Sequence, residues 1–314
     1  MSDISTRQSE DASQQLLKAR TVTTDQAKLV QGLTVTVSFG LCLLAIAASI
    51  GWESAKPYVV VAGFVVSILD VTLVDRWIKA QIKQDAKLAE LFDCRVLELE
   101  CNKFLIGKEI RPEEIGTAAR KIKQKNLPDP IWYATPLLTQ LPIHEARLVC
   151  QRANLVWDRS QRTHYRRLLQ IMALGVAVIG GAISLAADPH LVPFVLAIAP
   201  LSPFAMWALR ENNRHRDTTI TLDRLESETQ NMLNLAKAQT PAEELTHKSR
   251  ELQDAIYNHR ASSPLLFNWL YRLGRNKNEA EMKDSAVYWV EQLLGSSATK
   301  AANVSNSAQT PATA

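Results

Sequence analysis

The stretch LPIHEARLVCQRANLVWDR (141–159) concentrates side chains that recognise anions. Arg147, Arg152 and Arg159 each carry a planar guanidinium that can grip a phosphate through two parallel hydrogen bonds. Asn154, Trp157 and Asp158 stand among them, and Trp132 and Tyr133 sit in the proline-broken loop NLPDPIWYATP. These groups bind; they do not make bonds. The chain has no phosphate-cradling glycine loop, no HExxH and no nucleophile elbow. Its six histidines are scattered. No catalytic residue is assigned, and an enzyme is not expected. Six residues separate Cys94 from Cys101, with no second CxxC and no histidine pair, so no metal centre and no cofactor are expected.

Spaced at 100° per residue, the segment makes three stripes. Ala146, Val149, Cys150, Ala153, Val156 and Trp157 form one. Arg147, Gln151, Asn154 and Asp158 form another. Leu148 and Leu155 form the third, flanked by Arg152 and Arg159. A helix lying on one surface needs a single apolar side. This one is expected to be gripped on two, by its own domain or by a neighbouring subunit. Asn154 and Asp158 are then either ligand contacts or buried hydrogen-bonding groups.

No charge follows for twenty residues after Arg167. Leu33–Ile50, Tyr58–Val74, Leu168–Ala187 and Leu191–Leu209 are four apolar runs, and about 20 such residues cross ~30 Å of hydrocarbon. GWESAKP joins the first pair, and Asp188–Pro189–His190 turns the second, so the runs form two hairpins. Of 36 Lys and Arg, only Lys56 lies at a hairpin tip. That asymmetry predicts a multi-pass protein with both termini cytoplasmic. About 30 polar residues precede the first run, which argues for a retained anchor and against a cleaved signal peptide. Within the runs the lone acid is Asp70, near Asp75 and Arg76. It is either a pore or intramembrane group, or an interfacial residue reaching head groups. Ala173, Ala177 and Gly181 have the small-xxx-small spacing of close helix packing. Pro193, Pro200 and Pro203 are expected to kink the fourth run.

The expected fold is an all-α membrane protein: four transmembrane helices in two hairpins with helical cytoplasmic regions. The division reads 1–32 N-terminal cytoplasmic segment, 33–77 hairpin one, 78–167 helical middle domain, 168–209 hairpin two, 210–298 C-terminal helical region and 299–314 disordered tail. Residues 75–167 hold 18 basic and 12 acidic side chains, net +6 against +4 for the whole chain. Such an excess suits an anionic ligand or anionic lipid head groups. From Ile143 the helix is expected to continue into the third run. Residues 143–167 would then stand ~37 Å out of the membrane as a lever.

AELFDCRVLEL (89–99), IWY (131–133) and above all LPIHEARLVCQRANLVWD (141–158) carry a resemblance. With the order of runs, they make the chain resemble the SMODS-associated four-transmembrane effector family over roughly residues 10–295. LECN (99–102) departs from it, with Cys101 where an aromatic is expected. The resemblance implies a pore-forming effector of bacterial cyclic-oligonucleotide anti-phage signalling (CBASS). Its activator would be a cyclic di- or trinucleotide made by a cognate nucleotidyltransferase, not a nucleic acid polymer. The effector would form a homo-oligomer in the lipid bilayer and permeabilise the inner membrane, ending in abortive infection. On that reading Arg147, Arg152 and Arg159 meet phosphates, and Trp132, Tyr133 and Trp157 stack on bases. A non-pore scaffold that recruits a partner through residues 210–298 (Phe267, Trp269, Tyr271) is the alternative, as is a ligand-gated ion channel outside CBASS.

Overall fold

The computed structural model describes residues 2–128, 132–133, 136–187, 202–267 and 279–296. Among these, every regular element is helical and no strand occurs. Four rods dominate. α1 (Ile4–Ser9) leads into α2 (Asp11–Gly51), and a short turn passes the chain to α3 (Lys56–Leu69). A five-residue π segment, Asp70–Val74, joins α3 to α4 (Asp75–Val96) without a break, the Asp75 N–H bonding the Asp70 carbonyl. α5 (Lys103–Ile106) and α6 (Pro112–Arg120) are short. α7 runs unbroken from Ile143 to Ala187, α8 from Ser202 to Lys237 and α9 from Ala242 to Ser262; α10 is the helix at 279–296.

The termini of these elements follow from local chemistry. Asn102 caps α5, its side-chain oxygen accepting from the Leu105 N–H at 3.2 Å. Pro112 opens α6, with Glu113 and Glu114 in the first turn, where they complement the exposed N–H groups. α4 ends in a Schellman arrangement. Glu98 takes a left-handed φ of 52°, and the Leu99 N–H reaches back to the Cys94 carbonyl at 3.0 Å. α8 ends the same way at Gln239, φ 65°, and Pro241 follows.

The expected segment boundaries at 32, 77, 167 and 209 all fall inside helices. Apolar runs and polar stalks therefore share continuous backbone. α7, at 45 residues, extends about 67 Å at 1.5 Å per residue. The short helix expected at Ala12–Lys18 is one stretch of the 41-residue α2, and the helix expected from Thr218 begins earlier, within α8. Pro203 lies in the first turn of α8, where proline removes no helical bond. Pro193, Pro200, the turn at Asp188–His190 and the tail 299–314 lie outside the described residues.

By length and composition, one helix among the described residues, Pro57–Val96, can cross a membrane, and none of its most apolar window is buried by the protein. Phe39, Leu43, Phe64, Ile68, Leu174 and Val178 also point their side chains outward from α2, α3 and α7. Soluble proteins do not line rods with exposed side chains of this size.

The polar ends pack into one body. A single hydrophobic cluster takes Ile4 and Leu17 from the N-terminal segment, Phe92 and Leu97 from α4, Leu148 and Leu155 from α7, Leu222 and Leu233 from α8, Leu252 and Ile256 from α9, and Trp289 and Val290 from α10. α2 packs on α4 and α6, α7 on α8, and α9 lies against α4, α7 and α8. Leu148 is fully buried at the centre of this cluster. Leu148→Ala is expected to cost about 2–5 kcal/mol, whereas Phe104→Ala, at a ring 98% exposed, should cost nothing measurable. Urea titration of the whole chain in detergent micelles, read by tryptophan fluorescence, checks both.

Candidate functional site

Residues 146–158 of α7 lie within the protein body, with only Arg152, Val156 and Asp158 partly exposed. Ala146, Leu148, Val149, Cys150, Ala153, Leu155 and Trp157 are buried, and so are Arg147, Gln151 and Asn154. All three stripes thus meet protein of the same chain. Ala153 and Trp157 pack with Met282 of α10 and with Trp132, and the two indoles meet edge to face at 6.0 Å.

The polar residues of α7 divide among three junctions. The first joins α4, α7 and α9 around Glu90 and Asp93, both almost completely buried. Arg250 donates to Glu90 Oε1 at 2.6 Å, and Arg260 to Asp93 Oδ2 at 2.7 Å. The Gln253 amide lies between them, donating to Glu90 Oε2 and Asp93 Oδ2, each at 2.9 Å. From α7, Gln151 donates to Gln253 Oε1 at 3.0 Å and accepts from the Ser249 hydroxyl at 2.9 Å. The Tyr133 hydroxyl donates to Asp93 Oδ1 at 3.0 Å and accepts from Asn154 Nδ2 at 2.7 Å. Asn154 Oδ1 accepts in turn from Trp132 Nε1 at 2.8 Å. Burial draws the Arg260 guanidinium down, but the Asp93 carboxylate overrides it and holds the pKa above its ordinary value. Burial, reinforced by Asp93, pushes the Tyr133 hydroxyl up, so it stays a donor.

The second junction lies nearer the apolar runs. Asp158 accepts from Arg162 Nε at 2.9 Å and faces His259 Nε2 at 2.9 Å. Burial raises the Asp158 carboxyl, but Arg162 and His259 more than reverse this and hold it well below the usual carboxylate range. Arg162 also meets His215 Nδ1 at 3.1 Å and the Pro264 carbonyl at 3.0 Å. Burial lowers the His215 pKa, so the ring is neutral. Since Arg162 can only donate, Nδ1 must accept and Nε2 carries the proton. Glu211 lies 3.3 Å from that Nε2, and the Tyr165 ring packs edge-on against His215 at 4.5 Å.

The third junction joins α7 to α8. Arg152 donates to Glu226 Oε1 at 3.0 Å, with its guanidinium 5.8 Å from the centre of the Trp289 ring. Arg159 pairs with Asp223 and approaches Glu226 Oε2 at 3.5 Å. Two arginines two turns apart on the same face of α7 thus share one α8 carboxylate.

Of the candidates named from sequence, Trp132, Tyr133, Asn154 and Trp157 come together at the first junction. Arg152 and Arg159 come together at the third. Asp158 serves the second. Arg147 is separate: it is buried and reaches the Glu98 carbonyl at 3.4 Å, and burial lowers its pKa. Asp70 is also separate, in the π segment, with Asp75, Arg210 and Arg214 in electrostatic range. Glu90, Asp93, Ser249, Arg250, Gln253, Arg260 and Glu226 were not singled out from the sequence. A signal existed for the first two, since carboxylates three residues apart inside the apolar string AELFDCRVLEL must be buried with partners. Nothing in the sequence named those partners, which lie 160 to 167 residues away.

Over residues 2–287 the sequence matches the family described as the SMODS-associating 4TM effector domain. A protein of Bacillus cereus strain VD146, described as a probable CBASS effector molecule, is 21% identical over 287 residues, spanning 88% of this chain and 94% of that protein. No solved structure matches the chain.

Removing one partner of a buried ion pair strands the other. Asp93→Asn is therefore expected to cost about 3–5 kcal/mol, and Asp93→Leu combined with Arg260→Met to recover most of it; thermal unfolding in micelles compares the variants. Asp158, held low in the folded state, stabilises fully above about pH 4, where an unfolded carboxyl is ionised. That contribution is lost as pH falls through the folded value. Asp158→Asn should flatten the acid side of the stability–pH curve; an unchanged acid side would refute the role given to this carboxylate.

Proposed function

Since this chain belongs to the SMODS-associating 4TM effector family, we propose that it is a membrane effector of CBASS anti-phage defence. A cyclic di- or trinucleotide from a cognate nucleotidyltransferase switches it on, and it acts by permeabilising the bacterial inner membrane as a homo-oligomer. The four apolar runs cross the bilayer, and both termini stay in the cytoplasm with the helical body. The likeness to the Bacillus cereus protein supports the pathway, and the one-sided placement of 35 of 36 basic residues supports the orientation.

One observation carries the mechanism. The Arg152 and Arg159 pairs with α8 and the third apolar run lie on the same unbroken helix. A nucleotide phosphate competes for these guanidiniums with Glu226 and Asp223, because phosphate and carboxylate use the same forked donors. Trp157 of this helix and Trp132, packed edge to face, provide aromatic surface for a base. Replacing the carboxylates frees α8 from α7. α8 also belongs to the second hairpin, so its release changes how the two runs pack. Ligand binding is thereby converted into movement in the bilayer, through differential affinity for two arrangements of α7 and α8.

The reconstituted protein in dye-loaded vesicles is expected to leak with one member of a panel of cyclic di- and trinucleotides and not with the others. Glu226→Gln weakens the competing pair, and it should lower the half-maximal concentration of that nucleotide about tenfold, as expected for a loss of roughly 1.4 kcal/mol from the competitor. No leakage and no binding across the panel would overturn the reading.

A further inference from the structure

Among the described residues, Arg147 is a cation enclosed with no carboxylate on it. The residue is 4% exposed, and its Nε and Nη1 meet no acceptor. Nη2 reaches the Glu98 carbonyl, at a long 3.4 Å. The α7 residues one turn away are Ile143, His144, Cys150 and Gln151, none of them acidic. Glu145 sits about 200° round the helix, on the far side, at 3.6 residues per turn. A guanidinium keeps its proton in proteins, so the charge stays. The carbonyl end of α4 offsets part of it, since a helix C-terminus favours a cation. Most of the fork remains unused, and a buried donor without an acceptor is costly.

The acid that does come close is already engaged. Glu98, turned back at a φ of 52°, gives its carbonyl to Arg147 and its carboxylate to Arg7 of α1. Two guanidiniums thus meet at one acid, and the acid serves the outer one. The Glu98 side chain is 42% exposed and that of Arg7 24%. An ion pair this open to water holds weakly, so the Glu98 carboxylate can swing out without disturbing the core. Behind it lies a planar set of donors fixed by the packing of α7. With Glu98 away, the two guanidiniums present more positive charge than one carboxylate balances.

We propose that Arg147 and Arg7 form an oxyanion site, and that a phosphate group enters it in place of the Glu98 carboxylate. Phosphate oxygens accept from the same forked donors as a carboxylate, and arginine is the side chain suited to them. The site is separate from the pairs with α8. Arg152 lies about 140° and Arg159 about 120° round α7 from Arg147, at 3.6 residues per turn. An occupied site joins α1, the end of α4 and the start of α7 through one anion. It relies on no step of the leakage mechanism. Free phosphate, a nucleotide and the head group of an anionic lipid all carry the required group, and the test separates them.

The whole chain is melted in micelles of an uncharged detergent at constant ionic strength. One arm replaces chloride stepwise by inorganic phosphate, a second adds cyclic di- and trinucleotides, and a third mixes phosphatidylglycerol into the micelle. A rise in melting temperature of a few degrees is expected in at least one arm, because a ligand that binds only the folded state stabilises it. The arm with the lowest half-maximal concentration identifies the source. Arg147→Met should abolish the rise. Arg147→Lys keeps the charge without the fork and should raise the half-maximal concentration about tenfold. Glu98→Gln removes the competing carboxylate and should lower it. A rise in no arm, a rise that survives Arg147→Met unchanged, or weaker binding by Glu98→Gln would overturn the proposal. The wild-type and Glu98→Gln titrations decide it even if Arg147→Met fails to fold. Vesicle leakage reads the α8 pairs independently, so its failure leaves this result standing.

Discussion

Two carboxylates that cannot reach water organise this molecule. Glu90 and Asp93 lie three residues apart on the buried face of α4, and an ionised carboxylate there is tolerable only with donors on it. α9 brings those donors as Arg250, Gln253 and Arg260, at the spacing that keeps them on one helical face. Meeting that requirement presses α9 against α4. Gln253 also takes the Gln151 amide, so α7 is drawn to the same point. α4 and α7 are in this way joined by one helix, α9, that packs on both. The hydrophobic cluster supplies the bulk of the stability, being nondirectional. The ion pairs determine which faces meet.

Four long rods follow from a second constraint. Where an apolar run passes into a polar stalk, no turn, glycine pair or interior proline is seen among the described residues of α2, α4 or α7. Backbone hydrogen bonds continue across each boundary, so a stalk cannot rotate without its apolar half. Among the described residues of these rods the irregularity is the π segment at Asp70–Val74. It places a charged residue and a widened turn where the apolar part of α3 meets the stalk of α4, and π segments of this kind often mark working parts of helices. The family to which the chain belongs acts at membranes as an effector, and rigid rods anchored in a shared polar body are a suitable way to carry a signal to lipid.

Much of the fold was legible from sequence because its causes are local. Helical periodicity and the absence of any proline between Ile143 and Ala187 each act within a turn or two of backbone. The candidate site was legible in part. CQRANLVWD was read as part of a helix apolar on two separated sides, and the fold buries residues of both, Cys150 and Ala153 on one and Leu148 and Leu155 on the other. Its arginines were read as candidate phosphate contacts or structural ion pairs, and the acidic partners of Arg152 and Arg159 on α8 are visible only once α7 and α8 lie side by side. Asn154 and Asp158 had two readings in sequence; the fold gives each of them hydrogen-bond partners within the protein.

What the sequence determined by itself is the partition between lipid-compatible and water-compatible chain, and the asymmetry of basic residues around it. Hydrophobic length and charge count belong to a segment whatever it touches. What the tertiary structure decided is which charges are spent on one another. Arg152 with Glu226 and Arg260 with Asp93 depend on helices meeting at a particular rotation, and the approach of Arg250 to both Cys94 and the Glu100 carbonyl depends on one left-handed residue turning the chain back at Glu98. Such pairings join residues far apart in the chain or across a turn of unusual geometry. Neither is written in the neighbourhood of any one residue.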